Sequence, residues 1–138
     1  MQEYHFTIQH GGFTAEIAIG GDCSLYALAA FIIKTIGFDF DHAFEFCDNL
    51  KDPYRSKERY TLFADIGEGE PGDRSVKRTR ISAVFHPRRK MLFHFDYGDD
   101  WFFPVTCTAV KESPAKRPFK KVIATHGTPP EQYPDIEE

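Results

Sequence analysis

Apolar and polar residues alternate along two stretches near the start of the chain. Tyr4, Phe6 and Ile8 interleave with His5, Thr7 and Gln9, and Phe13, Ala15, Ile17 and Ile19 interleave with Thr14, Glu16 and Ala18. Gly11-Gly12 stands between them and offers the positive φ that a two-residue primed turn requires. The pattern therefore predicts a β-hairpin with one apolar face.

The period then changes. After Gly20-Gly21-Asp22-Cys23-Ser24, residues Leu25, Leu28, Ala29, Ile32, Ile33 and Ile36 recur at helical spacing and form a wide apolar stripe. This predicts a helix over 25–36, capped by Ser24 or Asp22 and closed by Gly37 in the left-handed conformation. Phe38-Asp39-Phe40-Asp41-His42 reads as a compact turn, and 43–47 returns to strand-like alternation. Residues 49–56 are polar around Pro53 and make a surface connection. A short strand is expected within 60–64, and 67–72, with three Gly and one Pro, is expected to be a mobile loop. In 79–85 the residues Ile81, Val84 and Phe85 fit one face of a short helix that Pro87 stops; the β-branched content also suits a strand, and helix is preferred.

The stretch Phe93-His94-Phe95-Asp96-Tyr97-Gly98-Asp99-Asp100-Trp101-Phe102-Phe103 concentrates aromatic rings, the only Trp and three carboxylates around one Gly. It predicts a second hairpin, with strands over 91–97 and 101–110. In its second strand Trp101, Phe103, Val105 and Cys107 share the core face and Phe102 is left outside. Beyond Glu112 the chain turns basic and Pro-rich, and 128–134 reads as an extended segment with no evident partner. The whole predicts an α+β fold: a mostly antiparallel, curved sheet of two hairpins packed around one main helix. One domain over 1–138 is expected, its tail extended from about 128.

Composition adds limits. Hydrophobic residues make up 41% of the 138 and aromatics 15%, with 14 Phe, which excludes a disordered chain. No basic segment leads into an apolar run at Met1-Gln2-Glu3, and no apolar stretch nears the roughly 18 residues of a membrane span, so a soluble, cytoplasmic protein is expected. Cys23, Cys47 and Cys107 are an odd count without CxxC spacing; they predict buried thiols, and neither a disulfide framework nor a zinc site. No cofactor is expected. The net charge of −4 argues against a protein that coats itself in nucleic acid, yet Arg74, Lys77, Arg78, Arg80, Arg88, Arg89 and Lys90 form a basic run beside acidic Asp65, Glu68, Glu70 and Asp73.

Four pieces of sequence, in order, resemble the plasmid pRiA4b ORF-3-like family. Phe95-Asp96-Tyr97-Gly98-Asp99-Asp100-Trp101 is similar to that family's Tyr-Asp-Phe-Gly-Asp-x-Trp signature. Gly37 to Phe46 matches an aromatic after Gly, then a His before an aromatic strand. The opening hairpin is the third piece, and His126-Gly127-Thr128-Pro129-Pro130-Glu131 is similar to a closing Gly-x-x-x-Pro-Pro-Glu. The resemblance implies the family's fold and an association with mobile elements, and brings no activity with it. Many members carry a His where this chain has Phe103, and Cys around Pro-Pro-Glu where this chain has none; any metal held through those positions is lost here.

The candidate chemistry lies in three groups. Asp96, Asp99 and Asp100 would form an oxygen-rich cation site with Asp39, Asp41 and His42 if the two turns meet, although Asp in a Gly-Asp-Asp turn ordinarily serves its own backbone. His42 is chemically suited to general-base work, but with no Ser or Cys nucleophile near a strand end a structural His is preferred. Trp101 with Tyr97, Phe102 and Phe103 would offer bases a stacking platform beside Arg88, Arg89 and Lys90. The expected function is thus a non-enzymatic binding or adaptor module with a protein or nucleic-acid partner. Its candidate binding residues are His42, Asp96, Tyr97, Asp99, Asp100, Trp101, Arg88, Arg89 and Lys90. The alternatives are a metal-dependent hydrolase at Asp96, Asp99, Asp100 and His42, or weak nucleic-acid binding through 74–90.

Overall fold

A two-residue turn joins strand β1 (Gln2–His10) to β2 (Phe13–Gly20), with His10 opposite Phe13 across the ladder. Of the two glycines only Gly11 takes a positive φ, at 55°. This is the computed structural model of the chain, and it describes residues 1–134. Helix α1 (Leu25–Ile36) follows as the apolar stripe requires. The Ser24 hydroxyl accepts from the Ala27 amide at 3.0 Å, and Gly37 closes the helix at φ 91° while its amide donates to Ile33 O at 3.1 Å.

The remaining strands are β3 (Phe44–Cys47), β4 (Arg59–Thr61), β5 (Arg74–Ser75), β6 (Lys90–Phe95), β7 (Trp101–Glu112) and β8 (Lys120–His126), with a one-turn helix α2 (Ile81–Val84) before β6. They form one sheet in the order β5-β4-β3-β6-β7-β1-β2-β8. All neighbours run antiparallel except β4 and β5, which are parallel. The two expected hairpins are therefore four adjacent strands of it, β6-β7-β1-β2, joined through β1 and β7.

Three segments differ from the sequence expectation. The basic, Pro-rich stretch after Glu112 contains β8, which pairs with β2 along the sheet edge. The segment 128–134 is not without a partner: the Gln132 carboxamide oxygen accepts from the Asp39 amide at 2.7 Å, and its NH2 donates to Asp39 O and Asp41 Oδ1. The stretch 60–64 is strand only at its start, because 63–66 tightens into a 3₁₀ turn closed by Gly67. Residues 81–84 are helix.

Alternation sorts the sheet into two faces. The helix side buries Phe6, Ile17, Phe44, Phe46, Phe93, Phe95, Phe103 and Cys107 against Leu28, Ile32 and Ile33 of α1. The opposite face carries Glu45, Cys47, Arg59, Thr61, Leu92, His94 and Phe102. Cys47 and Cys107 are buried free thiols, and burial pushes both up to about 11. Among the described residues no helix is long and apolar enough to cross a membrane.

Candidate functional site

Five residues, 96–100, close the β6–β7 hairpin, and their side chains divide between the two faces. Asp96 and Asp100 take positive φ, 65° and 52°, a conformation Asp tolerates better than most residues. Asp96 is buried; its Oδ1 accepts from the amides of Gly98 and Asp99, at 3.0 and 3.2 Å, as an Asx turn does. Its other oxygen lies 3.3 Å from His42 Nε2, so the turn at 38–42 does meet the hairpin loop. His42 also reaches the Tyr133 hydroxyl at 2.8 Å, and that hydroxyl donates to Asp41 Oδ2 at 2.9 Å. The bond to Asp41 pushes the Tyr133 phenol up to about 12.

Asp100 turns to the other face, where its Oδ1 lies 2.7 Å from His94 Nε2. The expected cluster of Asp96, Asp99, Asp100 and His42 is therefore split, and Asp99 is exposed and supplies a backbone amide. Among the described residues no three His, Cys, Asp or Glu side chains are grouped as a metal ion would need.

The outer face instead holds a row of charges that sequence reasoning missed. Glu45 on β3 stands opposite His94 on β6, both fully buried, with Oε1 at 3.5 Å from Nδ1. Arg59 on β4 donates to Glu45 Oε2 at 2.7 Å, and its Nε lies 3.7 Å from Asp73. Asp100, His94, Glu45, Arg59 and Asp73 thus alternate in sign across three strands and two loops. Burial disfavours the Glu45 carboxylate, but His94 and Arg59 outweigh it and hold its pKa below the ordinary range. Burial likewise opposes the His94 cation, and its hydrogen bonds to Glu45 and Asp100 raise its pKa all the same. The available signal was a lone Glu in Phe44-Glu45-Phe46 and a lone His in Phe93-His94-Phe95, one titratable group between aromatic rings on each of two strands.

Tyr97 folds over this row. Its ring meets the His94 imidazole edge-on at 4.8 Å, and its hydroxyl donates to Glu45 Oε2 at 3.3 Å. Burial and the Glu45 charge raise the phenol far above its ordinary range, so it stays neutral. Phe102 packs on His94 from the far side at 4.6 Å. Trp101 lies on the helix face, 4.9 Å from Phe38 and stacked with Phe103, so Trp101 and Tyr97 do not form one platform. Beside Tyr97 a cleft of about 270 Å³ opens between Tyr54, Phe63, Glu68, Glu70 and Asp73, with Arg59 at its base.

The basic candidates lie elsewhere. Arg88, Arg89 and Lys90 precede or begin β6, about 20 Å along the strand from the 96–100 loop. Arg89 is tied to Glu58 and to Val84 O, whereas Arg88 and Lys90 are exposed.

The chain matches a known family over nearly its whole length. The profile described as plasmid pRiA4b ORF-3-like protein matches residues 14–137. The chain belongs to this family. No protein of curated function matches it. Among solved structures, it is similar to the protein of unknown function MM3350 from Methanosarcina mazei Go1, at 17% identity and a TM-score of 0.64. That match covers 87% of this chain and 67% of the other, and shows that the pRiA4b ORF-3-like chain shares its fold.

Proposed function

We propose that the chain is a non-enzymatic binding or adaptor module, cytoplasmic and associated with mobile elements, whose ligand meets the outer face beside Tyr97. The observation that carries this reading is the mutual saturation of the ionisable row. A general base needs a free lone pair within reach of a substrate proton. His94 has both ring nitrogens on carboxylates, and Glu45 is held by Arg59, His94 and Tyr97. Cys47, the thiol on this face, stays protonated below about 11. What remains open to solvent is a cleft walled by aromatic rings, the usual material of a recognition surface.

Metal analysis of the purified chain, with thermal unfolding in Mg²⁺, Mn²⁺ and Zn²⁺, tests this reading. No stoichiometric metal, no shift in Tm and no hydrolysis of bis-p-nitrophenyl phosphate are the expected results. A bound metal with hydrolysis that Asp96→Asn or His42→Ala abolishes would replace the binding reading with the hydrolase.

Exposed Arg88 and Lys90, which among the described residues have no acidic side chain within ion-pair distance, favour weak nucleic-acid binding as a second reading. Fluorescence anisotropy with single- and double-stranded probes at low and physiological salt decides it, because phosphate contacts release counterions and weaken steeply with salt. Tight binding at physiological salt, lost in Arg88→Glu/Lys90→Glu, would make nucleic acid the ligand.

A further inference from the structure

We infer that the cleft beside Tyr97 holds a cation, the ammonium or guanidinium tip of a Lys or Arg side chain presented by a basic segment of a partner protein. This rests on the binding-module reading and adds the chemistry of the guest.

The walls are ring faces. Phe63 stacks on Tyr97 with centroids 5.7 Å apart and planes at 24°, and is itself 37% exposed; Tyr54 across the cleft is 69% exposed. A ring face carries negative potential and attracts a cation placed within about 6 Å of its centroid. Phe63 and Tyr54 are the exposed rings, and Tyr97 backs Phe63 and stays neutral because it is half-buried with its hydroxyl on Glu45.

The mouth is acidic. Glu68 and Glu70 are exposed, and among the described residues neither has a Lys, Arg or His within ion-pair distance. The Asp73 carboxylate, nearly buried, has Arg59 Nε at 3.7 Å, which is beyond hydrogen-bond reach, and that Nε is buried with no hydrogen-bond partner. The guanidinium charge is already met from below by Glu45 at 2.7 Å. Three carboxylates thus line the cleft with one guanidinium that is paired deeper in, and the excess negative charge disfavours an anionic guest.

The acids are also placed. Gly69 lies so close to Ala64 that an added Cβ would sit 3.1 Å from its Cα, and the Glu70 amide donates to Asp73 Oδ2 at 3.1 Å. A volume of about 270 Å³ falls just below the usual range of small-molecule pockets and suits one side chain.

The test is an amide NMR titration of the full chain with blocked Lys, Arg, Gln and Glu amides, with spermidine, and with a blocked Arg-Lys-Arg-Lys peptide. Saturable shifts at Thr61, Phe63, Gly69 and Tyr97 are expected with the Lys or Arg amide and, more tightly, with the peptide. Affinity is expected to fall about tenfold in Glu68→Gln/Glu70→Gln and about fivefold in Phe63→Leu, with Tm unchanged in the first and affinity unchanged in Glu112→Gln. No saturable shift with any cationic probe, or full affinity in Glu68→Gln/Glu70→Gln, would overturn the inference. A response at these amides to the Gln or Glu amide alone would refute the cation while keeping the binding module. Spermidine binding tighter than the peptide would refute a protein partner.

Discussion

His94 Nε2 and Asp100 Oδ1 lie 2.7 Å apart, so a fully buried imidazole in the middle of the sheet is anchored by the loop that begins two residues after it. The imidazole also faces Glu45, and the two neighbours together raise its pKa above 6.5 against the effect of burial. A group raised in the fold lends stability that is complete below its unfolded value and is lost as the pH climbs through the raised one. Glu45 has the opposite sign: burial disfavours its charge, His94 and Arg59 hold it below 4.5, and its share is lost as the pH falls through the lowered value. Urea unfolding is expected to show greatest stability between about pH 5 and about pH 6.5. His94→Gln is expected to flatten the alkaline decline; an unchanged decline would assign it to other groups.

Glu45 bridges Arg59 and the His94 imidazole at a buried position. Glu45→Gln leaves Arg59 and His94 without their common partner and is expected to cost about 3 kcal/mol in chemical denaturation. Replacing the whole set, as Glu45→Leu/Arg59→Met/His94→Phe, is expected to restore most of that loss, because no buried charge is then left uncompensated. A triple variant less stable than Glu45→Gln would show that the row contributes more than apolar packing does.

The Gln132 carboxamide makes three hydrogen bonds to the turn that presents His42. Gln132→Ala is expected to lower stability by about 1 to 2 kcal/mol and to speed hydrogen exchange at the Asp39 amide, whose partner it removes. Exchange at Asp39 as slow as in the parent chain would refute the docking of this segment.

Gly127 follows β8 with φ 83°, and a Cβ there would come 2.2 Å from Gly12 O. Gly127→Ala is expected to cost about 2 to 3 kcal/mol and to open β8 from β2, read as lost exchange protection along 120–126. Gly12→Ala, with nothing within 4 Å of the added carbon, is the control and is expected to stay within about 1 kcal/mol.

Local patterns carried most of the architecture. The 25–36 helix, its Ser24 cap and the Gly37 stop are read from neighbours in sequence, and so is the core face of Trp101, Phe103, Val105 and Cys107. β8 was hidden because an edge strand exposes both faces: Lys120 to His126 shows no alternation, and Val122 and Ile123 are both about half exposed. The docking of Gln132 joins residues 93 apart, and nothing in a polar side chain near a Pro announces its acceptor. The charged row was missed for a related reason. Polar positions in an alternating strand read as solvent-facing, and Tyr97, Phe102 and Arg59 packing onto that face cover Glu45 and His94. The turn at 38–42 and the loop at 96–100 meet through His42 and Asp96, a condition the sequence poses without deciding it, whereas the fate of Asp100 depended on His94 being within its reach.

The pairing of β2 with β8 and of β1 with β7 has a consequence for synthesis. Ile17 waits for Val122, and Phe6 for Cys107, each roughly a hundred residues later on the chain. At ribosomal speeds of about 5 to 20 residues per second, the first hairpin stays open on both edges for about 5 to 20 s. During that interval its bare backbone groups and apolar face are available to any other nascent strand. Slow codons between 20 and 100 would lengthen the exposure, and a holdase that covers short apolar hairpins would shorten its effect.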